Sequence, residues 1–97
     1  MKINENIINE FKKLIKQIQY DIDHSNDKKD KKSHMFRLLN IKNVLKIIES
    51  FKEQIDSVDQ LKNISGIGKG SLRRIEEILK TGKLSEINES IINDDYL

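Results

Sequence analysis

Three of the four glycines of this 97-residue chain fall within five positions, at Gly66, Gly68 and Gly70. There is no proline, so these glycines and Gly82 are its main breaks in regular structure. They sit in Leu61-Lys62-Asn63-Ile64-Ser65-Gly66-Ile67-Gly68-Lys69-Gly70, between two segments with helical spacing of apolar residues. An apolar-Gly-apolar-Gly turn between two helices makes a helix-hairpin-helix, expected over about residues 58–80. Gly66 permits a positive φ, and Gly68 leaves the backbone open to a close-approaching group. Ile64 and Ile67 would pack the turn onto a core. The free N–H groups that open the second helix, with the positive end of its dipole, form an anion site suited to sugar-phosphate backbone.

Rival readings of the glycines fail on spacing. A P-loop needs Ser or Thr directly after Gly-Lys, and Gly70 stands there. A dinucleotide fingerprint needs a preceding strand and a wider third spacing. The bland alternative is a tight turn between two helices and nothing more.

The rest of the chain reads as helical. Residues 4–22 carry Ile7, Ile8, Phe11, Leu14, Ile15 and Ile18 at helical spacing, with Asn4 or Asn6 as the cap. Residues 23–34 contain no apolar side chain, and a flexible basic loop is expected there. A second helix is expected from Met35 to Phe51. Leu38, Leu39, Leu45, Ile48 and Phe51 line one face, widened by Ile41, Val44 and Ile47. Ser57-x-x-Gln60 predicts a capping box before a short helix, Val58 to Asn63. Another helix runs from Lys69 to Lys80 and stops at Gly82, and a last one from Leu84 to Ile92. No alternating stretch argues for a strand. The expected fold is all-α: one compact domain over residues 1–97, four to five helices, one helix-hairpin-helix.

Composition removes whole classes of function. Without Cys, disulfide frameworks, thiolate metal sites and Cys nucleophiles are excluded; two His cannot form a His-rich metal site. No apolar run reaches membrane-spanning length and no signal-peptide core is present, so a soluble intracellular protein without a membrane partner is expected. Three Phe, two Tyr and no Trp argue against an aromatic platform for stacking bases. The net charge is +2, but it is unevenly spread. Residues 28–46 carry a net +6 and residues 62–83 a net +4, whereas residues 84–97 carry −4. Basic residues on both sides of the glycine turn favour DNA as the partner.

Residues 61–87, LKNISGIGKGSLRRIEEILKTGKLSEI, resemble the helix-hairpin-helix of the amino-terminal domain of family X DNA polymerases. The Gly-Ile-Gly turn matches, and so does the closing Thr81-Gly82-Lys83-Leu84. Upstream, Phe36-Arg37-Leu38-Leu39-Asn40-Ile41-Lys42 falls where the family has a basic helix, in outline only. The resemblance spans about residues 5–92 and stops where the family continues into its polymerase region, so the chain is expected to be a piece without the polymerase site.

The resemblance implies a repair-type DNA-binding domain that grips the backbone and 5′-phosphate of gapped or nicked DNA without sequence preference. The chain is expected to be a monomer, joined to a polymerase domain in the full-length protein. The residues implied at the DNA are Arg37, Lys42, Lys62, Gly66, Gly68, Lys69, Gly70, Arg73 and Arg74. No organic cofactor is implied. The backbone carbonyls of Lys62, Ile64 and Ile67 match positions that hold a monovalent cation, Na+ or K+.

One departure bears on chemistry. Several family members excise a 5′-deoxyribose phosphate through a Schiff base on a helix lysine. Arg74 occupies that position, and a guanidinium stays protonated and is no amine nucleophile. The family's neighbouring basic residue is Gly70, its Glu is Arg73 and its distal Lys is Glu86. Arg74 is therefore expected to act as a phosphate clamp, and no catalytic residue is assigned. A relocated nucleophile at Lys69 and a protein-binding role for the hairpin are the alternatives.

Overall fold

The structure, a computed structural model, describes residues 3–90. Its elements are α1 (Glu5–Asp23), α2 (Lys28–Ser50), a single 3₁₀ turn (Val58–Leu61) and α3 (Lys69–Thr81). There is no strand among the described residues, and no helix there is long and apolar enough to cross a membrane. The helix count falls just below the expected four to five. The expected last helix, Leu84 to Ile92, is corrected over its first part: residues 84–88 form a turn whose backbone groups bond to the Glu10 and Gln17 side chains, and helix begins at residues 89 and 90. Ile91 and Ile92 lie outside the described residues. So do Asp94 and Asp95.

The core follows from helical spacing. Ile7, Phe11, Leu14, Ile18 and Ile22 make one buried stripe along α1, which packs chiefly on α2. From α2 come Ile41, Val44, Leu45 and Ile48. Ile55, Leu61, Ile67, Ile75, Ile78, Leu84 and Ile87 close the core from the second half of the chain.

Asn4 takes the cap position of α1 in the left-handed conformation, φ 59°, without a capping bond from its side chain. Its amide reaches across instead. Nδ2 donates to the Glu53 carbonyl at 2.9 Å, and Oδ1 accepts the Ile55 N–H at 2.7 Å. A 1% exposed Asn thereby satisfies the backbone of the connection after α2.

The expected loop over residues 23–34 is corrected. The connection is 24–27, and α2 begins at Lys28. The Asp27 carboxylate accepts the Lys29 N–H at 2.9 Å, and Asp30 adds a favourable charge in the first turn. Apolar periodicity cannot register this segment because it has no core to face: the first buried residue of α2 is Ile41. Leu39 is corrected too. Expected on the core face, it is 58% exposed, alongside Met35 at 56% and Phe36 at 64%. At about 100° per residue, these three side chains project opposite to the buried stripe of α2.

Candidate functional site

The hairpin is built from local rules. Ser57 and Gln60 form the expected capping box on the 3₁₀ turn. Leu61 is fully buried and Ile67 nearly so, which fixes both ends of the turn to the core, with Ile64 half-buried between them. Gly66 has φ +99°, and a Cβ built there would lie 3.0 Å from the Ile47 Cδ1. The position thus demands glycine by conformation and by space. Gly68 caps α3 in extended conformation, φ −85° and ψ 176°, which any residue adopts. Its distinction is outward: a Cβ there would meet nothing within 4 Å. Gly68 therefore leaves open space over the N-terminus of α3. Gly82 ends α3 at φ +85°, its N–H donating to the Ile78 carbonyl at 2.8 Å.

The structure separates the cations that the sequence groups together. Lys69 and Arg73 are exposed and join no ion pair among the described residues. Lys62 is paired with Asp59 at 2.7 Å, which raises the Lys62 pKa and lowers that of Asp59. Arg74 is engaged along one edge by a single carboxylate. Its Nε donates to Glu86 Oε1 at 2.7 Å and its Nη2 to Oε2 at 3.4 Å. Its Nη1 lies beside Gly70, 3.5 Å from where a Cβ would stand.

On α2, Arg37 lies 3.8 Å from Asp21 and its Nε is buried without a hydrogen-bond partner. Lys42 is exposed. It joins Lys32, Met35, Phe36, Leu38 and Leu39 around an open, almost wholly apolar depression of about 440 Å³. Helical spacing alone hides this strip, because it counts Leu38 and Leu39 toward the core. The signal is nonetheless present: Met35, Phe36 and Leu39 do not fall on the same side as Ile41, Val44 and Ile48. Tyr20 is half-buried and stacks on His24, ring centroids 4.0 Å apart. The His24 Nδ1 lies 2.9 Å from the Tyr20 carbonyl, so this His finishes α1.

Two buried polar side chains of α1 hold the segment that follows α3. Glu10 accepts the Leu84 N–H at 2.9 Å. Gln17 accepts the Asn88 N–H at 2.5 Å and donates to the Glu86 carbonyl at 2.7 Å. Glu86 is thereby set across from Arg74.

A 3₁₀ turn, a glycine turn anchored by two buried apolar residues and a helix opening onto free space define a class, and the chain belongs to it. It is a member of the helix-hairpin-helix domain family, whose model matches residues 3–84. A stretch of 37 residues is 54% identical to DNA polymerase lambda of Arabidopsis thaliana. The match covers 38% of this chain and 7% of that polymerase. No solved structure matches.

Proposed function

We propose that this chain is a DNA-binding domain of a family X polymerase, taking the backbone of gapped or nicked DNA at its hairpin. The observation that carries the reading is the open space over Gly68, where α3 begins, with exposed Lys69 and Arg73 beside it. Free helix N–H groups, a dipole end and two exposed cations attract phosphate and carry no base-reading chemistry. Similarity to DNA polymerase lambda supports the same partner and a polymerase domain in the full-length protein. In this reading phosphates at the gap are held by Lys69 and Arg73, and Arg37 and Lys42 of α2 add positive charge to the same domain.

The carbonyls of Lys62, Ile64 and Ile67 would hold a monovalent cation at the turn. Such oxygen donors suit a hard ion, although the Ile64 carbonyl already accepts a long 3.5 Å bond from the Ile67 N–H. When bound, the ion would neutralise phosphate charge beside the turn.

The domain binds without lyase chemistry of its own, since Arg74 offers no neutral amine. The test is a fluorescence anisotropy titration of gapped duplexes with and without a 5′-phosphate, over a range of salt. Binding should weaken by about 0.9 log units per log unit of salt for each phosphate neutralised. Affinity unchanged from low to moderate salt would refute the electrostatic contact. Borohydride trapping on an incised abasic duplex should give no adduct; an adduct mapped to Lys69 would reveal a relocated nucleophile.

A further inference from the structure

Arginine grips phosphate best through two parallel N–H donors on one edge of the guanidinium. In Arg74 the Nε and Nη2 edge is already filled by the two oxygens of Glu86, at 2.7 and 3.4 Å. The carboxylate cannot leave by a shift of its backbone. The Glu86 carbonyl is held by Gln17, and Leu84 and Asn88 on either side are tied through their N–H groups to Glu10 and Gln17. The pair is also partly exposed, Arg74 at 22% and Glu86 at 37%. An ion pair so open to water adds little to stability. Its larger effect is electrostatic: it cancels one of the cations nearest the hairpin and sets a negative charge where a phosphate would approach Arg74.

We propose that Glu86 is the residue that sets the selectivity of this domain for a terminal phosphate. By occupying the Arg74 edge, it leaves backbone phosphodiesters to Lys69 and Arg73 and keeps the preference for a 5′-phosphomonoester small. A monoester carries nearly twice the charge of a diester, so it is repelled most by a carboxylate and benefits most from a released guanidinium. Glu86 acts through Arg74 and is a positioning residue. This role rests on the proposed DNA contact at the hairpin.

The experiment compares the wild-type chain with Glu86→Gln and Glu86→Ala on gapped duplexes ending in 5′-phosphate or 5′-hydroxyl. Gln keeps an acceptor for the Arg74 Nε and so guards the fold; circular dichroism checks both variants. Both substitutions should raise the phosphate-to-hydroxyl affinity ratio by roughly five- to tenfold, as one charge-assisted hydrogen bond to the phosphate would at a partly exposed site. Adding Arg74→Ala to either variant should erase the increase. The ¹⁵N–¹H signal of the Arg74 Nε should stay in place when phosphorylated DNA is added to wild type, and shift in Glu86→Ala. DNA binding with an unchanged ratio, or an Arg74 signal that already shifts in wild type, overturns the role of Glu86 and leaves the hairpin contact standing. Absence of salt-dependent DNA binding in wild type overturns both.

Discussion

Residues 28–46 and 62–83 are both basic in sequence, yet the fold pairs their charges to different extents. Around the hairpin, Lys62 is paired with Asp59, Arg74 with Glu86, and Lys80 lies 3.9 Å from Glu76. On α2, Lys28, Lys29, Lys31, Lys32, Lys42 and Lys46 are exposed and join no ion pair among the described residues. Lys28, Lys32, Lys42 and Lys46 share the outward side of the helix with Met35, Phe36 and Leu39. The difference teaches that the hairpin supplies geometry for an anion and α2 supplies most of the uncompensated charge. Net charge along a sequence does not distinguish the two, because pairing is decided by which carboxylates the fold brings near.

The largest expected effect breaks the geometric half of this contrast. Gly66→Val places a β-branched residue at φ +99° and drives its Cβ against Ile47. It should destabilise the domain by about 2–5 kcal/mol, read as a lowered midpoint in urea unfolding. Gly68→Val is its counterpart in the same turn. The backbone there is extended and the space is open, so unfolding should shift by within about 1 kcal/mol. DNA affinity should nevertheless fall roughly tenfold in anisotropy titrations, because the side chain fills the approach to α3. Normal DNA binding by Gly68→Val would show that the hairpin is not the contact surface.

The electrostatic half is sharpened by single charge removals. Lys42→Gln and Lys69→Gln should each make the log–log salt slope shallower by up to about 0.9. Lys62→Gln should change it less, since Asp59 already offsets that charge. An equal loss from Lys62→Gln would erase the distinction between paired and unpaired cations.

The smallest effect is pH dependence at the Asp59–Lys62 pair. The hydrogen bond from Lys62 holds the Asp59 carboxyl below its ordinary range. A folded-state pKa that is depressed contributes stability above the unfolded value near 3.9, and this is lost as pH falls through the folded value. Asp59→Asn should flatten a shallow acid-side slope in stability and leave the curve unchanged near neutral pH.

The hairpin is legible in the sequence because its determinants are local. Gly66, Gly68 and Gly82 mark both ends of α3, Leu61 and Ile67 bracket the turn, and Ser57 with Gln60 announces the 3₁₀ turn from three positions apart. The start of α2 is illegible for a physical reason. Its first two turns, residues 28–34, project beyond the core and carry no apolar side chain, and the Asp27 cap is a weak signal within a charged run. The Arg74–Glu86 pair is hidden more deeply. Twelve positions separate the residues, and their meeting depends on the turn at Gly82 and on hydrogen bonds from α1. Asn4 reads as a cap, but its reach to Glu53 and Ile55 spans about half the chain and leaves no trace in local spacing.

The segment after α3 is secured by Glu10 and Gln17 through main-chain N–H and C=O groups, which every residue type but proline offers in full. The identity of the residue at position 86 is therefore decoupled from the anchoring of its backbone. Substitution there trades one side chain for another on an unaltered frame, so charge opposite Arg74 can be reversed, removed or restored in a single step. The arrangement makes this position an adjustable dial in natural drift and in the laboratory, on a scaffold whose hairpin tolerates no comparable freedom at Gly66.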